Sequence, residues 1–437
     1  MVVIDWLSAH HLLVPLIVMI LVMATLLGGT LYLVHAERKI SAYMQDRIGP
    51  NRLGWGGMFQ PLADGAKIFL KEDIVPAHVD KLFFMLAPGI AAGTALLALA
   101  VVPLGATVPP PAAQPVVPAQ VRGPDGTLAA NPDRPESVRR ATEALAADVR
   151  RYHDTPKIMI APGVDIGLLF VFAVGSLAVY GIILGGWSSN NKYSLLGSLR
   201  SSAQIISYEI PMGTAILAVL LYTGSLNLER VIDSQVGGHG IGWHILYQPL
   251  TFLMFMTAIF AECNRLPFDL PEAEQELVGG YHTEYSSLKF VMFYLGEYIH
   301  MVTTSYLMAV VFFGGWHLPW VSSLGGEGTV LNYVVRTLVL GGKASFFILF
   351  FMLIRWTLPR FRYDQLMGLA WRTLIPLSLV NLVVVMIVRQ MDWSPWWLLP
   401  LQVLLLVGAA AVTLRRRAPP AVIRTGRHPA LIGVGEG

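Results

Sequence analysis

The sequence predicts an all-α, polytopic integral membrane protein of about nine transmembrane helices plus one interfacial amphipathic helix. Three observations carry this. Hydrophobic residues make up 54% of the 437-residue chain and charged residues only 14%, beyond the apolar share of a typical soluble domain. The apolar residues gather in runs long enough to cross a hydrocarbon core about 30 Å thick. Glutamates sit inside those runs, Glu209 within 201–223 and Glu297 within 286–313. At about 1.5 Å per residue, both carboxylates lie roughly 12–17 Å inside the core. A carboxylate at that depth is costly unless it meets a hydrated cavity or a partner, or takes up a proton. Several such groups point to a protein that handles protons within the membrane.

Apolar length places the spans near 12–34, 81–102, 163–185, 202–223, 246–262, 287–313, 339–358, 373–389 and 396–414. The first is not expected to be a cleaved signal: no basic residue precedes it, and Glu37, Arg38 and Lys39 follow it directly. Lysine and arginine then set the orientation. Arg38, Lys39, Arg47, Arg52, Lys67, Lys71, Lys192, Arg200, Arg265, Arg360, Arg362 and Arg372 all fall on one side, with the basic tail. The opposite short loops hold only Arg230 and Arg336. The positive-inside rule puts the first side in the cytoplasm, the N-terminus outside and the C-terminus inside. The chain divides into 1–102, the first two spans with their cytoplasmic loop; 103–162, a proline-rich outer insertion; 163–389, spans three to eight; and 390–437, an additional span with a basic tail. The insertion carries seven basic residues, but long translocated loops weigh little in the rule. Most of it is expected to be extended or disordered. Val138, Ala141, Leu145, Val149 and Tyr152 recur at helical spacing, so 137–152 is expected to be an amphipathic helix.

Two cytoplasmic loops hold the polar chemistry. In loop 35–80 the first part, rich in glycine, proline and arginine, is expected to be irregular. The second part is helical: Leu62, Ala66 and Phe69 line one face, and Asp64, Lys67 and Lys71 the other, as in a helix lying in the membrane interface. Loop 263–286 sets Asp269, Glu272, Glu274, Glu276 and Glu284 against one base, Arg265. Asp269-Leu-Pro-Glu272 reads as a helix start. Glu284 leads into the span that carries Glu297, which marks a line of carboxylates from the surface inward. Closely spaced carboxylates raise one another's proton affinity, as a relay needs. Tyr294 and Tyr298 fall near Glu297 on the same helix and are expected to share hydrogen bonds with it. Glu262 ends the fifth span. Lys343 and Arg355, near the ends of the seventh, are read as snorkelling to the interface.

Other chemistry is excluded. One cysteine, Cys263, supports neither a disulfide framework nor an iron–sulfur cluster held by this chain alone. The histidines show no ligand spacing, so no metal site is expected. No nucleotide-binding glycine motif is present, and a net charge of +3 gives no reason to expect nucleic acid.

Four stretches occur in order: ERKISAYMQDRIGPNRLGWGGMFQPLADGAKIFLKED, GGWSSNNKYSLLGSLRSSAQIISYEIP, NRLPFDLPEAEQELVGGYHTEYSSLKF and PRFRYDQLM. Together they resemble the H subunit of NADH-quinone oxidoreductase (respiratory complex I), whose mitochondrial counterpart is the subunit-1 core membrane protein. The resemblance runs from about residue 12 to 389, apart from the 103–162 insertion. It implies a subunit that is catalytic only within its complex, in a bacterial-type cytoplasmic membrane. Its partners would be the peripheral-arm subunits of the quinone site, small neighbouring membrane subunits and lipid. Quinone would be the substrate, with FMN and iron–sulfur clusters in the partner subunits and no cofactor bound by this chain alone. The positions matching the quinone chamber are Arg38, Arg47, Phe59, Asp64, Arg265, Phe268 and Asp269. Those matching the acidic proton path are Glu209, Glu262, Glu272, Glu274, Glu276, Glu284 and Glu297. The related membrane anchor of energy-converting hydrogenase-type complexes shares the spans, but the complete loop motifs favour the quinone branch. A stand-alone transporter would be expected to show an internal repeat, and the halves show none.

Overall fold

The computed structural model describes residues 13–107, 120–122, 128–130, 134–154, 161, 163–236, 242–270, 278–322, 324 and 329–416. In chain order its helices are α1 (Leu13–Met44), α2 (Gln60–Phe69), α3 (Lys81–Leu99), α4 (Arg134–Asp154), α5 (Gly167–Ser188), α6 (Lys192–Thr223), α7 (Leu228–Ser234), α8 (His244–Tyr247), α9 (Pro249–Glu262), α10 (Ser287–Phe312), α11 (Val330–Thr357), α12 (Tyr363–Leu369), α13 (Ile375–Gln390) and α14 (Leu398–Arg416). The all-α fold expected from hydropathy is what the chain forms. Within the insertion, β1 (Gln120–Arg122) and β2 (Leu128–Ala130) pair antiparallel, a small hairpin that helical spacing did not announce.

Among the described residues, five helical stretches are long and apolar enough to cross a membrane: Lys81–Leu99, Gly167–Ser188, Lys192–Thr223, Val330–Thr357 and Tyr363–Gln390. The last is α12 and α13 run together through a π-turn, Ala370–Leu374. The remaining expected spans coincide with α1, α9, α10 and α14.

Several helices outrun their apolar stretches, because a helix ends at a cap and not where hydropathy falls. α6 begins about ten residues before the expected span, where the Asn191 side chain accepts from the Tyr193 N–H. It ends at Gly224, whose φ of 69° is the left-handed conformation of a helix stop. α11 likewise starts after Thr329, whose hydroxyl accepts from Asn332 N–H at 3.3 Å. α1 continues through Glu37, Arg38 and Lys39 to Met44, so residues 35–44 are helical where an irregular chain was expected, while 45–54 are irregular as expected. The amphipathic helix of the insertion is present as α4, with Leu145, Val149 and Tyr152 half-buried. The expected helix start after Asp269 falls at 271–277, outside the described residues.

Small residues let the helices close. A Cβ added at Gly181 of α5 would lie 2.9 Å from the Ala91 backbone nitrogen of α3, the close approach typical of membrane helix pairs. The main core joins α5, α6, α9, α10 and α11 around Met254, Phe255, Ile259, Val310, Phe312 and Leu340. A second core stacks Phe84 on Tyr285 at 4.1 Å. The additional helix α14 is locked on by polar contacts. Buried Gln402 donates to Thr251 Oγ1 and accepts from Leu250 N–H, both at 3.0 Å, and Asn381 donates to the same threonine.

Candidate functional site

A cavity of about 740 Å³ opens between α1, α2, the turn 264–269, α10 and the end of α11. Its floor is a carboxylate that sequence reading passed over. Glu37, only 7% exposed, accepts the Tyr298 hydroxyl at 2.5 Å and is paired with Arg355 and, at 3.5 Å, with Arg265. The Arg265 guanidinium also lies over the Tyr298 ring, 4.2 Å from its centre. Arg355 therefore does not snorkel, as its place near a span end suggested: it turns inward to Glu37. Lys343 does not snorkel either. Its ammonium donates to the carbonyls of Phe313, Gly315 and His317 at 2.6–2.9 Å and so ties down the turn that follows α10.

The cavity rim carries further ion pairs. Arg38 meets Asp64 of α2 at 2.5 Å, and Asp269 meets Arg360 at 3.0 Å. α2 presents Asp64 to the cavity and keeps Leu62 and Phe69 more than half exposed, the orientation of a helix resting on the membrane interface. Of the residues expected at a quinone chamber, Arg38, Arg47, Asp64, Arg265 and Asp269 line this cavity. Phe59 is half-exposed beside Gly54. Phe268 lies in the core against Tyr208 and Phe361, where it anchors the turn that carries Arg265. Buried Gln204 holds the same turn by donating to the Ala261 and Phe268 carbonyls at 2.8 and 2.9 Å.

A second, smaller cavity of about 50 Å³ lies between α3, α5, α9 and α10 and is lined by Glu262, Glu297, Tyr281 and His300. Tyr281 donates to Glu297 at 2.9 Å. This corrects the expected tyrosine partner: Tyr298 follows Glu297 directly, points about 100° away around the helix, and gives its hydroxyl to Glu37 instead. Glu262 is 3.1 Å from His300 Nε2. Glu209 accepts a hydrogen bond from Ser176, next to the cavity-lining Gly175 on α5. Glu284 stands apart, held by the Asn191 side chain at 2.7 Å at the start of α6. Glu272, Glu274 and Glu276 lie outside the described residues. Beside this group, burial among the rings of Tyr281, Phe290 and Tyr294 pushes the His282 imidazole down to about 4.

Sequence reading missed Glu37, Tyr281, Asn191 and Ser176. A signal existed for the first. Glu37 lies three residues past the end of span 12–34 and Arg355 three before the end of span 339–358, so opposite charges stand near the same membrane face. The others are ordinary polar residues whose importance comes only from what they face.

The two cavities share a wall. Asn264 lines both, and the consecutive residues Glu297 and Tyr298 of α10 face one each. The NADH dehydrogenase family profile matches residues 16–386. An NADH-quinone oxidoreductase H subunit of Cytophaga hutchinsonii is 43% identical over 354 residues, 81% of this chain and 90% of its own length. The NADH-quinone oxidoreductase H subunit of Flavobacterium johnsoniae is 42% identical over 84% of this chain and 93% of its own. NADH-quinone oxidoreductase subunit 8 of Rhodothermus marinus is 42% identical over 85% and 95%. With a profile spanning most of its length and relatives covered almost end to end, the chain belongs to the NADH dehydrogenase family and is a membrane subunit of an NADH-quinone oxidoreductase.

Proposed function

We propose that this subunit forms part of the quinone chamber and of the acidic channel that couples quinone reduction to proton pumping. The observation that carries the reading is the shared wall: one helix, α10, gives Tyr298 to the large cavity and Glu297 to the small one. The large cavity has the size of a small-molecule site. Its apolar lining suits an isoprenoid tail, and its ring of arginines and tyrosine suits a polar headgroup on its way to the peripheral subunits. Around buried Glu37 two guanidinium groups face one carboxylate, a local excess of positive charge. Negative charge developing on a quinone nearby would be stabilised there and would pull on Glu37 and Tyr298. Because Glu297 is the next residue on the same helix, the shift would reach the acidic line of Glu297, Glu262 and Glu209.

In this reading Arg38, Arg47, Phe59, Asp64, Arg265 and Asp269 serve the chamber, and Phe268 positions its turn. Glu272, Glu274, Glu276 and Glu284 feed the channel from the surface. FMN and the iron–sulfur clusters belong to partner subunits, and the quinone-site subunits of the peripheral arm close the chamber. Nine spans, with the N-terminus outside a bacterial-type cytoplasmic membrane and the C-terminus inside, put both loops on the electron-delivery side.

The test uses two variants of the assembled complex in vesicles. Glu297→Gln should assemble and lose most quinone reductase activity with its proton uptake, because glutamine fills the space and cannot release a proton. Arg265→Ala should lower turnover with long-tailed quinones. NADH oxidation by an artificial acceptor, which needs only the peripheral arm, reports assembly in both. Near-normal pumping by Glu297→Gln would remove this carboxylate from the path, and a parallel loss of artificial-acceptor activity in Arg265→Ala would move that residue to assembly.

A further inference from the structure

His300 is a buried titratable side chain to which neither the family match nor the reading above assigns a task. Its Nε2 lies 3.1 Å from Glu262 Oε1, and the two side chains keep only 14% and 11% of their surface. Both line the small cavity with Glu297 and Tyr281, and about 50 Å³ is room for a few water molecules. Gly175 of α5 creates the space. A Cβ there would come within 3.3 Å of Glu262 Oε1 and 3.9 Å of His300 Cε1. The next residue, Ser176, donates to Glu209. Glu297 and the Glu262–His300 pair therefore share one cavity, and the Ser176–Glu209 contact lies one residue further along α5.

A lone carboxylate buried here would carry an uncompensated charge, which burial opposes strongly. An imidazole beside it offers a site that gains and loses a proton near neutral pH, with two ring nitrogens to do so. We propose that His300 and Glu262 share one transferable proton and that His300 is a proton-carrying residue of the interior acidic line. The inference rests on the acidic-channel reading and deepens it. A proton arriving from the Glu297 side converts imidazole plus carboxylate, net −1, into a pair of net charge zero. Its release toward the Glu209 side restores −1, and no electrons move. Among the residues lining the cavity, the other titratable groups facing the pair are Glu297, Tyr281 and Cys263.

The deciding variant is His300→Asn in the assembled complex, reconstituted in vesicles. Asparagine keeps a neutral polar group in the cavity and cannot carry a proton. Quinone-linked turnover and proton uptake should fall about a hundredfold, the lower end for a lost acid–base group. The pH profile between about 6 and 8, where an imidazole titrates, should flatten. A pair that is only structural would leave the profile unmoved or scale it uniformly, and either result overturns the inference. Glu297→Gln run in parallel separates two failures. If Glu297→Gln pumps normally, the channel reading itself falls; if it stops while His300→Asn does not, only the role of His300 falls. Should His300→Asn not assemble, Glu262→Gln removes the same shared proton with the imidazole in place. An unflattened profile there overturns the inference equally.

Discussion

Replacing Glu37 by glutamine removes the carboxylate shared by Arg265 and Arg355 while keeping its shape and a hydrogen-bond acceptor for Tyr298. Two guanidinium groups are then left facing each other without a counter-charge. Breaking a buried pair by removing one partner costs about 3–5 kcal/mol. Here the Arg265 side chain is 14% exposed and cannot leave, whereas that of Arg355 is 38% exposed and can turn toward the cavity opening. That escape puts the expected loss at the lower end, about 3 kcal/mol. Arg355→Leu should cost less, about 1 kcal/mol, since solvent already screens that arginine and Arg265 and Tyr298 still cover Glu37. The double variant should be more stable than Glu37→Gln alone, because the arginine repulsion is gone. Thermal unfolding of the purified complex, followed by retention of this subunit, reads all three, and the double-mutant cycle isolates the coupling. Strictly additive losses, or a Glu37→Gln variant as stable as wild type, would refute the ion-pair account of the cavity floor.

Three further outcomes are expected. Gln402→Leu should loosen α14 from α9, since the side chain bridges Thr251 and the Leu250 amide. A loss of about 1 kcal/mol is the scale of such interhelical bonds in membranes, and protease access to the loop before α14 measures it. The buried His282 ring is held neutral down to about pH 4, while in the unfolded chain it takes a proton near pH 6.5. Its contribution is therefore fully present above about pH 6.5 and is lost as pH falls toward 4, on the order of 3 kcal/mol in all. His282→Phe should flatten the acid side of the stability curve, and an unchanged curve would show that the ring is not the titrating group. Replacing Leu145 and Val149 of α4 by aspartate should free the insertion helix, seen as faster amide exchange there, while quinone reduction continues; abolished turnover would mean that the insertion supports the chamber.

Much of this protein is written in one dimension. Long apolar runs of about the membrane's thickness declare helices, because a backbone in lipid must satisfy its hydrogen bonds within its own segment. Glutamates inside such runs declare chemistry for the same reason: their burial has to be compensated. The motif loops carried the family resemblance, and the spacing of Leu145, Val149 and Tyr152 announced α4. What the sequence could not decide was which polar groups meet. Glu297 and Tyr298 are neighbours in the chain, yet the helix turns them into different cavities. Arg355 and Lys343 looked alike as isolated charges near span ends, but one neutralises a carboxylate 318 residues away and the other ties down the turn after α10. Helix boundaries at Asn191 and Thr329 depended on caps that hydropathy does not register. Partner choice depends on the rotation of each helix about its own axis and on close approaches such as Gly181 to Ala91. Only packing of the whole bundle sets those, because an apolar run satisfies lipid in any rotation, whereas a buried charge is satisfied in very few.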